Sequence, residues 1–112
     1  MTEPRLKTAM QVSAAVKLSA ARAIPIVVAR RGDADAGAIL LKLNQRERGF
    51  TVLTQTRTPQ GDLAWLRATG EAPVDEATAD AYIDRQVRRD PDVWVVEIED
   101  RDGQTIFAGR VL

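Results

Sequence analysis

The chain contains no cysteine and no histidine. Without cysteine there is no disulfide and no thiolate nucleophile, and the usual zinc sites lose their main ligands. Without histidine every imidazole general base is gone. Only two serines occur, Ser13 and Ser19. Both fall inside an expected helix, away from the strained turn and neighbouring base that a serine nucleophile requires. Any chemistry would have to come from carboxylates, Arg, Lys, the single Tyr or a bound metal. No run approaches the roughly 18 apolar residues that cross a bilayer. The alanine-rich stretch 9–23 is broken by Gln11, Lys17 and Arg22, so it does not form the continuous apolar region of a signal peptide. A cytoplasmic location without membrane contact is expected.

What is present describes an ordinary globular domain. The 112 residues suffice for one modest hydrophobic core. A single domain over 1–112 is expected, with residues 1–7 frayed around Pro4. Net charge is zero, yet its distribution is uneven. Residues 1–70 carry a balance of +6 and residues 71–102 a balance of −7. Such asymmetry allows a basic face, an acidic face and attraction between copies, unless folding interleaves the charges.

The coarse pattern starts with a helix over Thr8–Ala23, where alanine is abundant and Gly and Pro are absent. Its small residues, with Met10 on one side and Val12 and Val16 on the other, suit close packing on a sheet. Ile26–Ala29 and Ala38–Leu43 are continuous apolar runs, as in strands covered on both faces. Phe50–Thr54 and Leu63–Ala68 follow as further strands, and the four are expected to form an antiparallel meander. Pro73 precedes a helix over Asp75–Arg89 with a buried stripe of Ala79, Ile83 and Val87; acidic residues open it and arginines close it. Val93–Asp100 is the clearest strand. The following Asp102-Gly103 predicts a tight hairpin that pairs Ile98 with Phe107. The expected class is α+β, in the order α-β-β-β-β-α-β-β. Five to six strands would form a mostly antiparallel sheet, mixed if the second helix carries the chain to a parallel neighbour.

Three stretches carry enough chemistry to weigh. "RRGDADAG" (Arg30–Gly37) has phosphate-loop glycine spacing, but Ala38-Ile39 stands where Lys-Ser/Thr should follow. As a calcium loop it offers Asp33 and Asp35, then Gly37 and Asn44 where further ligands belong. A six-residue hairpin connection remains, with glycines supplying positive φ and Asp side chains bonding nearby N–H groups. "RRDPDVWVVEIEDRDG" (Arg88–Gly103) partly matches the carboxylate set of metal-dependent nucleases through Asp90, Asp92, Glu97 and Glu99, with Glu99 where lysine belongs. The plainer expectation is an exposed acidic hairpin edge. Finally, thirteen of the sixteen cations are Arg. Arg30, Arg31, Arg46, Arg48 and Arg57 could contact phosphates, although only Phe50 and Trp65 lie near as stacking platforms.

The segments Ile24–Leu43 and Arg88–Phe107 resemble the two most distinctive stretches of the alphaproteobacterial DUF1491 family. The resemblance runs over nearly the whole chain. It implies a single-domain bacterial cytoplasmic protein with the segment order above and "RRGDADAG" in a first hairpin. It brings no activity, substrate, cofactor or catalytic residue. The leading expectation is thus a small non-enzymatic protein-interaction domain whose partner is another protein or a second copy of itself, with no cofactor and no metal. Its candidate binding residues are Arg30, Arg31, Asp33, Asp35, Trp94, Glu97 and Glu99. The alternatives are a nucleic-acid-binding accessory protein that uses the basic half and, behind it, a carboxylate–metal hydrolase.

Overall fold

The structure, a computed structural model, describes residues 7–112; of the segment expected to fray, residues 1–6 lie outside that range. In chain order the elements are helix α1 (Thr8–Ala21), strands β1 (Ile26–Arg30), β2 (Ile39–Asn44), β3 (Phe50–Arg57) and β4 (Leu63–Arg67), helix α2 (Glu76–Arg89), and strands β5 (Trp94–Glu99) and β6 (Arg110–Val111). A single 3-10 turn, Arg46–Arg48, joins β2 to β3. The class is α+β, and the six strands form one mixed sheet in the order β1-β5-β2-β3-β4-β6.

β5 lies between β1 and β2, antiparallel to the first and parallel to the second. Its sequence explains the position. Trp94-Val95-Val96 is apolar on both sides, which suits a strand covered on both faces. Trp94, Val96 and Ile98 join Ile39, Leu41, Leu43, Leu53 and Trp65 in the core beneath α1. Val93 and Val95 join Leu40 and Val52 beneath Ala79 and Ile83 of α2. Burying each of these larger side chains contributes about 1.5–3 kcal/mol.

This arrangement corrects two expected hairpins. β1 and β2 are not neighbours, so the meander comprises only β2, β3 and β4. The segment after Gly103 does not return along β5, because both edges of β5 are occupied. Instead β6 pairs in parallel with β4 on the far side of the sheet. Phe107 reaches the α1-side core, where it packs edge-on to Trp65 at 5.9 Å, and the Trp65 indole N–H donates to the Ala108 carbonyl at 2.9 Å. Asp100–Gly103 is still a turn, closed by the Gly103 N–H on the Asp100 carbonyl.

The helices differ in legibility. α2 behaves as its pattern indicates. Asp75 caps it through Thr78 N–H at 2.8 Å, and Ala79 and Ile83 are buried. Those hydrogen bonds from Thr78 hold the Asp75 carboxyl below the usual aspartate range. α1 buries Thr8, Val12, Ala15 and Ser19, while Met10 and Val16 are exposed. Its buried stripe is half hydroxyl-bearing, so of Met10, Val12 and Val16, the larger residues that apolar spacing picked out, only Val12 is buried. Thr8 uses its hydroxyl, donating to the Gly37 carbonyl at 2.7 Å. The Ser19 Oγ is buried with no hydrogen-bond partner among the described residues.

An orphaned buried hydroxyl carries a desolvation cost that alanine does not. Ser19→Ala is therefore expected to stabilise the fold by about 1 kcal/mol, read as a higher urea midpoint at unchanged m-value.

Candidate functional site

The stretch Arg30–Gly37 leaves the end of β1, passes the start of β5 and enters β2. Its chemistry is turned inward. The Arg30 guanidinium donates to the Pro91 and Val93 carbonyls at 2.7 and 2.9 Å. Arg31 sits over the Trp94 ring at 5.3 Å, and the Trp94 indole N–H donates to the Asp33 carbonyl at 2.8 Å. The Asp33 carboxylate accepts from Ala36 N–H, as its turn composition implied. The Asp35 carboxylate instead meets Lys7 at 3.6 Å. The carbonyls of Ala34 and Asp35 accept from Ala9 and Thr8 N–H, satisfying donors that every helix leaves free at its start. Gly32 and Gly37 do not adopt the positive φ that the sequence suggested. A Cβ at Gly32 or Gly37 would collide with the Asp92 carbonyl and the Trp94 ring. They permit the loop to lie flat on the β5 entry.

The acidic candidates separate. About five residues of extended chain, roughly 16 Å, part Asp92 from Glu97. Glu97 and Glu99 are half-buried on an interior strand and not on an exposed hairpin edge. Glu97 lies 3.5 Å from Lys42, and Glu99 accepts from Arg46 at 2.9 Å. No group of three or more His, Cys, Asp or Glu suited to a metal ion occurs among the described residues. Of the carboxylates that a hydrolase would need, Glu97 and Glu99 lie on β5 and are engaged by cations, whereas Asp90 and Asp92 precede the strand, with the Asp90 carboxylate accepting from Asp92 N–H.

The arginine candidates separate as well. Arg30 and Arg31 lie at the end of the sheet where β2 begins, and Arg46 and Arg48 at the opposite end, where β2 leaves. Arg46 is paired with Glu99, and Arg48 with Asp102 at 3.4 Å. Arg57 closes β3 and donates to the Gly61 carbonyl. The five do not make one basic face.

Sequence reasoning missed Lys42. It is 7% exposed on the α2 side of β2, and its ammonium lies 2.8 Å from both Glu76 and Asp80 and 5.0 Å from the Phe50 ring centroid. Burial by itself would lower its pKa. The hydrogen bonds to Asp80 and Glu76 and the charge of Glu97 outweigh that and hold it above the ordinary lysine range. The carboxylates around it thus hold the ammonium in its charged form. One signal was available: a lone lysine interrupting the apolar run Ile39–Leu43, whose neighbours are all buried.

The other exposed feature is β1 itself. It pairs only with β5. The Glu99 N–H donates to the Pro25 carbonyl, so by antiparallel alternation Ile26 and Val28 turn their N–H and C=O groups to the open side. Val27 is 61% exposed, beside Glu97 on the α2 face. No charged side chain occurs between Arg22 and Arg30.

A mixed sheet with one helix on each face and a central strand drawn from late in the chain defines an α+β domain of specific topology. Residues 6–108 match the model of the DUF1491 family, proteins of unknown function, and the chain belongs to that family. Its fold is shared with a DUF1491 protein from Caulobacter crescentus, seen by crystallography at 36% identity and TM-score 0.84, covering 96% of this chain and all of the other. The NMR structure of a Caulobacter crescentus DUF1491 protein matches at 35% identity and TM-score 0.81, covering 98% and 99% of the two chains. Protein Atu0922 from A. tumefaciens matches at 25% identity and TM-score 0.75, over 95% of both chains. No curated protein matches.

Two substitutions test these contacts. Gly37→Ala should cost about 1–3 kcal/mol through overpacking against the Asp92 carbonyl, measured by chemical denaturation. Lys42→Met should cost about 1–2 kcal/mol at neutral pH, because it removes the buried shared partner of three carboxylates that themselves keep contact with water. Lys42 has a raised folded pKa, so its contribution is complete below the unfolded value near 10.5 and is lost as pH climbs towards the folded one. The stability difference between wild type and Lys42→Met should therefore narrow above that pH.

Proposed function

We propose that this chain is a cytoplasmic protein-interaction domain that works by pairing its β1 edge with β1 of a second copy. The observation that supports it is the open edge at Ile26–Val28, uncharged and led by an exposed valine. Unpaired strand edges are templates for strand addition, and proteins that avoid this place charges on them. β1 carries only Pro25 before it and an irregularity between Val28 and Arg30, which confine the usable edge to three residues.

Those three residues are self-complementary about a two-fold axis. Placing Val27 opposite Val27 of the second copy sets Ile26 opposite Val28 twice. All the outward N–H and C=O groups of Ile26 and Val28 then pair, giving about four hydrogen bonds around a close valine contact. The axis also puts Arg30 of each copy on the same face as Glu99 of the other, about two strand spacings or 10 Å away. The flanking charges attract. The opposite edge, β6, is two residues long and offers little template.

Sedimentation equilibrium should show a concentration-dependent dimer. Val27→Lys should raise its dissociation constant at least about tenfold by placing like charges in contact across the axis, with the monomer fold unchanged by circular dichroism. A wild type that stays monomeric at high micromolar concentration, or a Val27→Lys variant that dimerises equally well, would overturn the reading.

A further inference from the structure

A separate feature lies on the α2 side of the sheet, at the edge away from β1. α2 covers Leu40 of β2, Val52 of β3 and Val95 of β5, and it is the one helix on that face among the described residues. β4 and β6 extend beyond it. On this face Ala64 and Leu66 of β4 stand opposite Thr56 and Thr54 of β3, and Arg110 of β6 stands opposite Ala64. Ala64 is buried, but Leu66 is 44% exposed and Leu112 41%. Together with Thr54, Ala68 and Tyr82 of α2 they line an open groove of about 510 Å³. A helix laid there and centred on β4 would stand two strand spacings, about 10 Å, from one centred on β2. That is the ordinary distance between packed helices.

The rim of the groove is basic on two sides. Tyr82, Arg85 and Arg89 follow helical spacing along the flank of α2 that meets it, and the Arg85 guanidinium lies 5.9 Å from the Tyr82 ring centroid. Arg110 rises on the other side. All three arginines are exposed, and none has an ion-pair partner among the described residues. The anion that lines the groove, Glu71, stands past the end of β4. An apolar floor between unneutralised arginines calls for an amphipathic partner with an acidic flank. Neither helix of a second copy supplies one. α1 exposes Met10 and Leu18 but has no acidic residue, and the apolar stripe of α2 is already buried.

We infer that this groove docks an amphipathic helix of a different protein. Its leucine-type side chains rest on Leu66 and Leu112, and its carboxylates meet Arg85, Arg89 and Arg110. The groove lies across the sheet from β1, so this docking is independent of β1 pairing.

The test is an amide-resolved NMR titration of the intact protein with a capped helical peptide of about 18 residues, long enough to hold a helix alone. It carries leucine at i, i+3, i+4 and i+7, glutamate on both flanks and alanine elsewhere. A second peptide has lysine in place of every glutamate. The glutamate peptide should give saturable shifts centred on Leu66, Ala68, Tyr82 and Leu112, with a dissociation constant below about 1 mM. The lysine peptide should bind at least about tenfold more weakly, because it meets the arginines with like charge. Arg85→Glu combined with Arg89→Glu should weaken the glutamate peptide to a similar degree, and so should Leu66→Ser. Should Leu66→Ser disturb the sheet, the exposed arginine pair still decides. Absence of saturation, shifts centred elsewhere, or equal binding of the two peptides would overturn the inference. So would a short oligo-dT strand that binds these residues more tightly than the peptide, which would assign the arginines to phosphates.

Discussion

The fold depends on β5 entering between β1 and β2. This late segment supplies Trp94, Val96 and Ile98 to one core and Val93 and Val95 to the other, so it ties the two faces of the sheet together. It also fixes the most distinctive loop. Arg30, Gly32, Asp33 and Gly37 all close on the Asp92–Trp94 corner where β5 begins. What looks like a phosphate or metal loop is the packing surface for that corner and the dock for the first turn of α1. Both stretches that mark the family are therefore two sides of one contact.

The same insertion settles the uneven charge. β2 comes from the basic part of the chain, and β5 and α2 from the acidic part. Setting them together places Lys42 against Glu76, Asp80 and Glu97, and Arg46 against Glu99. Arg48 meets Asp102 nearby. Most of these pairs are exposed and individually contribute little. Lys42 is the exception, because burial removes the water that would otherwise screen it. Part of the two charge blocks thus meets in a seam of ion pairs along β2, β5 and α2.

Much of the element plan was legible. α2 announced itself by an Asp cap, an apolar stripe at helical spacing and Pro91 beyond its end. The strands showed as β-branched apolar runs between turn signals. Less legible was α1, whose buried stripe includes Thr8 and Ser19. Such residues pack well inside when a hydroxyl finds a carbonyl, and periodicity of apolar residues does not register them. Of the candidate site residues, Trp94, Arg30, Arg31 and Asp33 do converge, but on one another. Glu97 and Glu99 were placed on an edge strand, whereas β5 is interior, between β1 and β2.

The sequence by itself determined the α+β class, the order of elements, the absence of thiol and imidazole chemistry, and the family. Each follows from local composition and spacing, which act over a few residues. Only the tertiary structure decided which strands are neighbours, that β1 is left as the open edge, and that α2 leaves part of β4 and β6 uncovered. Strand pairing joins segments more than fifty residues apart, and two short turns look alike whether the strands they leave pair with each other or admit a third. The choice is made by how much apolar surface each arrangement buries, and a strand apolar on both faces is buried best in the centre.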